Sequence, residues 1–251
     1  MAAMNPPSDP SDIVAWAKSY PFGHPGESYL FRRGEKVTLE APVAAVKGRV
    51  PVIASGSNAA PRQLARKYQA FDRGASIPVT RADLADFDSV YNAHITSYGS
   101  VPATLFPSPG TVLETFITWL DEHELAVMHG TEQPGVNYHF SELRNLRIEV
   151  EGIGNLDSAF AYISVAGCLN HDGGPVSLAE VPARARRYPA RSQAEMQEVV
   201  RALTAPGAWL EPFIRENVEN EGVRLERSRA LAGTAHPFEH GAMRVIEVKA
   251  V

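Results

Sequence analysis

The chain has 251 residues and a formal net charge of −5, from 24 Lys and Arg against 29 Asp and Glu. That length fits one large domain or two small ones, and an acidic balance predicts no basic face, which argues against a nucleic-acid partner. One cysteine, Cys168, excludes an intrachain disulfide and suits a reducing compartment.

No apolar run approaches the roughly 20 residues of a membrane span. The Pro-, Ser- and Asp-rich start, Met1 to Ser11, lacks the basic and apolar regions of a signal peptide. The expectation is a soluble, cytoplasmic protein with no membrane partner. Residues 1–10 read as a flexible arm. Without a repeat or a clear linker, one domain over 1–251 is the simplest organisation.

Asp12 to Ser19 predicts a short helix stopped before Pro21. Ser28 to Arg32 and Lys36 to Leu39 predict two strands around a turn at Gly34. Val50 to Ala54 predicts an apolar strand that runs into Ser55-Gly56-Ser57-Asn58, and Pro61 opens a helical run through Arg62 to Tyr68. A strand that stops at such a turn before a helix leaves backbone N–H groups unpaired and pointing one way, able to receive a carboxylate or an oxyanion. The same residues also read as an ordinary strand-to-helix turn, with Gly56 for backbone freedom and Asn58 as cap.

Pro78 to Asn92 is ambiguous: Leu84, Phe87, Val90 and Tyr91 fit a helical stripe, and Phe87 to Tyr91 also fits a strand. Ala103 to Phe106 predicts a strand, Pro107-Ser108-Pro109-Gly110 a turn, and Val112 to Thr118 a second strand. Asp121 to His129 predicts a short helix with Asp121 and Glu124 as a capping box and Gly130 as its end. Glu132 then falls on a loop fixed by that helix end, with His123 and His129 flanking the helix.

Tyr138 to Phe140, Leu146 to Val150 and Ala159 to Val165 are further strand candidates, and His171 to Pro175 a turn. The region 190–251 reads as a helical extension: Gln193 to Leu203, Trp209 to Asn220, and a closing strand Met243 to Lys249. Arg184, Arg186, Arg187 and Arg191 form the densest basic cluster and read as solvated surface. His236 and His240 have the spacing of half a zinc site, but Pro237 lies between them and no third ligand is evident, so no metal is assigned.

With these pieces placed, the chain resembles the γ-glutamylcyclotransferase-like family. The resemblance is carried by four features in order: Ile53-Ala54-Ser55-Gly56-Ser57-Asn58; Ala82 to Phe87; Ala103-Thr104 with Ser108-Pro109-Gly110; and Glu132 at the matching distance beyond that Pro-Gly, followed by Tyr138. It covers roughly 50–165. Three positions depart from the family: Ser55 stands where the family has a Tyr that lines the site, His129 where it has an Asp near the acid, and Ala59 where a larger apolar residue is usual. The resemblance implies an α+β fold, a small, mostly antiparallel β-barrel with surrounding helices.

It also implies an intramolecular aminolysis of a small γ-glutamyl substrate, giving 5-oxoproline and a released amine, with no cofactor. Glu132 would be base and then acid, and Ser55, Gly56, Ser57, Asn58 and Tyr138 would bind substrate. Two other readings stand beside it: a non-catalytic member of the fold that binds a small ligand or a protein, and a hydrolase of another small amide in which Glu132 activates water.

Overall fold

The computed structural model describes residues 9–71 and 74–248. Of the expected N-terminal arm, residues 1–8 lie outside these. Asp9 and Pro10 are ordered: the Asp9 carboxylate accepts the Ser11 N–H at 2.9 Å and caps helix α1 (Pro10–Lys18), with Pro10 in its first turn. A hairpin turning at Gly34 follows, β1 (Tyr29–Arg32) and β2 (Glu35–Val37), then the short helix α2 (Pro42–Ala45) and β3 (Val50–Ile53). A 3-10 turn over Ser57–Ala59 leads into α3 (Pro61–Lys67).

Two long strands come next, β4 (Ser76–Tyr91) and β5 (Ala103–Leu120), then helix α4 (Glu122–Glu132) and the strands β6 (Tyr138–Val150) and β7 (Gly154–Ser164). Two-residue strands follow: β8 (Asn170–His171), β9 (Gly174–Pro175), β10 (Ser177–Leu178), β11 (Ala183–Arg184) and β12 (Ala190–Arg191). Three helices, α5 (Gln193–Thr204), α6 (Leu210–Glu219) and α7 (Glu221–Ala232), and a last strand, β13 (Met243–Val245), end the described chain.

Five of these strands close on themselves. β5 pairs with β3, β3 with β7, β7 with β6, β6 with β4, and β4 returns to β5. Only β3 and β7 run parallel in that ring. β1 extends the sheet from β4, and β13 adds to β6. This is the mostly antiparallel barrel with surrounding helices, of class α+β, that the resemblance implies. Leu84, Leu105, Leu113, Ile117, Leu143 and Ile148 are buried in one core cluster, each contributing about 1.5–3 kcal/mol by leaving water. The same cluster takes in Ile13 and Ala17 of α1, Met196 and Val200 of α5, and Phe213 and Ile214 of α6, so the C-terminal helices pack onto the barrel through α1. A second cluster joins Tyr29, Phe31, Leu64 of α3, Met128 of α4 and Phe140.

The structure corrects several local expectations. The ambiguous 78–92 stretch is strand, because β4 is paired on one side with β5 and on the other with β6. Pro107 to Gly110 does not separate two strands; it lies within β5. Phe87 pairs with Pro107 but Ala85 with Val112, so the extra residues of β5 bulge out of the ladder there. Prolines are tolerated at such a bulge because no ladder N–H is required of them. The bulge is pinned where Gly110 N–H donates to Asp86 at 2.9 Å, both residues having positive φ. The segments 138–140 and 146–150 are likewise one strand, β6, irregular between Arg144 and Ile148. Helix α7 was not expected: its mean pattern is polar, and its only buried residue is Leu231.

The arginine cluster is not simply solvated. Arg184 donates to Asp83 at 2.6 Å and to Glu114 at 2.9 Å. Arg186 donates through Nε and Nη2 to Asp88, at 3.0 and 3.1 Å. Asp88 is fully buried and also accepts from Ser177 Oγ at 2.6 Å and its neighbour's N–H, Ser89, at 2.8 Å. Removing one partner of a buried pair strands the other charge. Arg186→Leu is therefore expected to lower unfolding stability by about 3 kcal/mol in a urea titration. A loss under about 1 kcal/mol, the range of exposed pairs, would return Arg186 to the solvated surface.

Candidate functional site

One end of the barrel gathers the chain's polar groups. The β3 strand ends there, β4 leaves it through His94 to Tyr98, and β5 and β6 begin there at Ala103 and Tyr138. Between these strand ends lies a cavity of about 540 Å³, within the size range of small-molecule sites. All six residues expected from the sequence line it: Ser55, Gly56, Ser57, Asn58, Glu132 and Tyr138. Helices supply the other walls, α3 through Gln63, Arg66 and Lys67, and α7 through Arg224, Leu225 and Ser228.

Glu132 is not on a loop. Helix α4 continues through Gly130, and Glu132 is its last residue, followed by Gln133 in the left-handed conformation that caps the end. A glycine inside a helix costs about 1 kcal/mol relative to alanine, and packing overrides it here. Glu124, Met128 and Glu132 recur every four residues on the buried face of α4. The start is fixed by the expected capping box, in which Glu124 N–H donates to Asp121 at 2.8 Å and Asp121 N–H to Glu124 at 3.1 Å. Arg49 holds the Glu124 carboxylate at 2.6 Å, and Tyr68 donates to the Glu124 carbonyl at 2.7 Å. Met128 is fully buried, so the next turn delivers Glu132 into the cavity wall at 9% exposure.

The Glu132 carboxylate has two partners. Lys67 Nζ donates to its Oε1, and Asn58 Nδ2 donates to the same oxygen at 3.2 Å. The second bond joins the acid to the Ser55–Asn58 turn directly, across 74 residues of sequence. Lys67 comes from the last turn of α3, three residues after the fully buried Leu64, and its Nζ lies 3.4 Å from Met128 Sδ. Burial lowers the Lys67 ammonium below the usual lysine range, and the Glu132 charge opposes that. A carboxylate in the last turn of a helix sits at the negative end of its dipole. The Lys67 cation offsets that repulsion.

Tyr20 supplies a phenol to the wall. Its hydroxyl accepts the Ala103 N–H at 2.8 Å, and the Ser57 N–H also faces it. A Cβ on Gly56 would overlap the Tyr20 oxygen, so glycine is required here for close approach. Burial first, then the Tyr98 and Glu132 charges, raise Tyr20 well above the ordinary phenol range. Tyr138 is raised too, by burial and then by Glu132. Tyr98 is pushed up to about 12 by burial, against the opposing charge of Arg66, whose guanidinium lies 5.9 Å from its ring centre.

His94 faces the ring of Tyr138 at 6.0 Å between centres, and burial pulls its imidazole down to about 4, against the opposing charge of Glu132. His129 stands one contact back from the cavity, 2.8 Å from the hydroxyl of the wall residue Tyr162. His236 and His240 serve separate contacts, the first in a bridge with Cys168, the second against the Arg144 carbonyl at 3.0 Å. Among the described residues no helix is long and apolar enough to cross a membrane.

Lys67, Arg66, Tyr20, His94 and Arg224 were missed from the sequence. Lys67 carried one usable signal: an i, i+3 step from Leu64 puts it on the buried face of α3, where a lysine requires a partner.

Fold and site together define an α+β barrel protein with a charged pocket at one barrel end. No protein-family profile matches the chain, and no curated protein matches it. Among solved structures, it is similar to a γ-glutamyl cyclotransferase at 14% identity and a TM-score of 0.37, over 79% of this chain and 94% of that one. It is also similar to an uncharacterized human protein at 12% identity and a TM-score of 0.32, over 88% of this chain and 95% of that one. Neither likeness identifies what this chain does.

His94 gives the site a pH signature. Its folded pKa lies below the unfolded value of about 6.5, so between those values the unfolded chain binds more protons and stability rises with pH. That contribution is fully present above about 6.5 and is lost as pH falls toward 4. An imidazole titration by NMR is expected to place the His94 midpoint near 4. His94→Gln is expected to flatten the stability profile across the same window. A midpoint near 6.5 in the folded protein would contradict the neutral assignment.

Proposed function

We propose that the pocket is the active site of a γ-glutamylcyclotransferase-like enzyme, a lyase or acyltransferase that cyclises the γ-glutamyl group of a small substrate to 5-oxoproline and releases an amine. The observation that carries this reading is the bond from Asn58 to Glu132, which puts an acid and a strand-to-helix turn in one pocket with room for an acyl group between other polar walls. The reaction needs little else. The attacking α-amine is tethered to the carbonyl it attacks, so the protein has chiefly to hold a cyclisable conformer. A proton must leave the α-ammonium and another must reach the departing nitrogen, and a positioned carboxylate can take the first.

Charge favours the same substrate class. The ionic groups lining the cavity are Lys67, Arg66 and Arg224 against Glu132 and Glu221, with His94 neutral. A wall with that balance suits a ligand bearing a carboxylate, as a γ-glutamyl group does. The turn from Ser55 to Asn58 opens a 3-10 turn whose first N–H groups have no helical acceptor; the Ser57 N–H faces the Tyr20 hydroxyl, and the turn's other N–H groups would receive that carboxylate or the oxyanion of the tetrahedral intermediate.

Glu132→Gln tests the reading. The amide keeps the size and the bond from Asn58 but cannot exchange a proton near neutral pH. Release of 5-oxoproline from γ-glutamyl substrates is expected to fall by roughly 10²–10⁴ while the affinity for them changes little. Turnover within a few-fold of the parent would remove Glu132 from the chemistry. Hydrolysis to free glutamate in place of 5-oxoproline would point to the amide hydrolase instead, and ligand binding with no turnover by the parent to a binding protein.

A further inference from the structure

We infer that Lys67, through its Nζ in the wall of the same pocket, is the acid that protonates the departing nitrogen, leaving Glu132 to act as base alone. The inference rests on the cyclotransferase reading and divides its two proton transfers between two residues.

Three observations support the division. Lys67 lines the cavity with Glu132, and its Nζ is bonded to the carboxylate assigned as base, so the two groups stand side by side at one pocket wall. An ammonium has three N–H donors. One goes to Glu132 Oε1 and one faces Met128 Sδ at 3.4 Å, a weak acceptor, which leaves a donor free among the described contacts of this side chain. The third observation is a coupling. Burial and the nearby Arg66 charge both favour the neutral amine at Lys67, and Glu132 alone opposes them. Once Glu132 has taken a proton, its charge is gone and nothing named there still holds the ammonium. Base and acid are therefore linked in sequence: the first transfer makes the second residue a stronger acid.

The protons balance. Glu132 takes one proton from the substrate α-ammonium. The freed amine forms the ring N–C bond to the γ-carbonyl, whose π pair moves onto oxygen. Lys67 gives a proton to the departing nitrogen as its C–N bond breaks and the carbonyl reforms. The surplus proton of the ring nitrogen returns to Lys67, and the proton on Glu132 passes to the released amine. Products are the neutral lactam and an ammonium, and both residues regain their starting states.

The leaving group decides the test. An alkylamine cannot depart without a proton, whereas p-nitroaniline departs with little help. The full-length protein, Lys67→Met and Glu132→Gln are compared on γ-glutamyl-ethylamide and γ-glutamyl-p-nitroanilide, reading 5-oxoproline and melting temperature. Lys67→Met is expected to lose roughly 10²–10⁴ on the ethylamide, as for a general acid, and no more than a few-fold on the anilide. Glu132→Gln is expected to lose activity on both. Equal losses for Lys67→Met on the two substrates would make Lys67 a residue that only positions Glu132, and overturn the inference while the cyclotransferase reading stands. Should Lys67→Met fail to fold, Lys67→Arg keeps the charge and the hydrogen bonding but does not release a proton near neutral pH, and the same contrast between substrates applies to it. If the parent protein releases 5-oxoproline from neither substrate, the cyclotransferase reading fails and the inference falls with it.

Discussion

Closure of the five-stranded barrel is the constraint on which the site depends. β4 and β5 pair along most of their lengths, and β3, β7 and β6 complete the ring between them. A closed sheet has no freedom to slide its strands, because slipping one pair by a residue would turn the core side chains of that strand outward. The ends of β3, β4 and β7 and the starts of β5 and β6 are thereby held at one mouth. Residues far apart in the chain, such as Asn58 and Glu132, meet there without any local sequence reason to do so. The bulge at Asp86 and Gly110 belongs to the same design: it absorbs the unequal lengths of β4 and β5 far from the mouth, so the register near Ala103 is left regular.

The Lys67–Glu132 pair is the second organising element. It joins the last turns of α3 and α4 across the cavity wall, beside the buried Met128. Two charges withdrawn from water stabilise a protein only weakly, since desolvation consumes most of their attraction. Hydrophobic packing of Leu64 and Met128 could hold these helices without it. The pair lies at the wall of a polar cavity, where the proposed chemistry would use both of its members. Around it, burial raises the phenols of Tyr20, Tyr98 and Tyr138 above the ordinary range, which widens the pH span over which they carry no charge.

The C-terminal helices change what the pocket is. α7 is a polar helix capped by Asn220, whose side chain accepts the Val223 N–H at 3.1 Å. It places Arg224, Leu225 and Ser228 against the cavity. Arg224 is steadied by the Asn217 carbonyl at 2.7 Å, so this wall is built on α6 and through it on the barrel core. The extension beyond the barrel is therefore part of the site and not an appendage to it.

The sequence by itself determined the elements with local signatures. Strand β3 and its turn follow from an apolar run stopped by Gly56, α4 from its capping box, and Glu132 and the 55–58 turn were singled out as candidates from the order of short motifs. It left 78–92 open between helix and strand, because spacing alone cannot show that both edges of a segment are paired. It ended α4 at Gly130, because the propensity of one glycine is local and the burial of Met128 and Glu132 is not. It read Arg186 as solvated, because the buried Asp88 that receives it lies 98 residues away. Lys67 and Tyr20 were invisible as site residues for the same reason. Neither belongs to a motif, and each reaches the cavity only through contacts that barrel closure creates. Local rules name residues able to do chemistry, and only the tertiary structure decides which of them share a cavity.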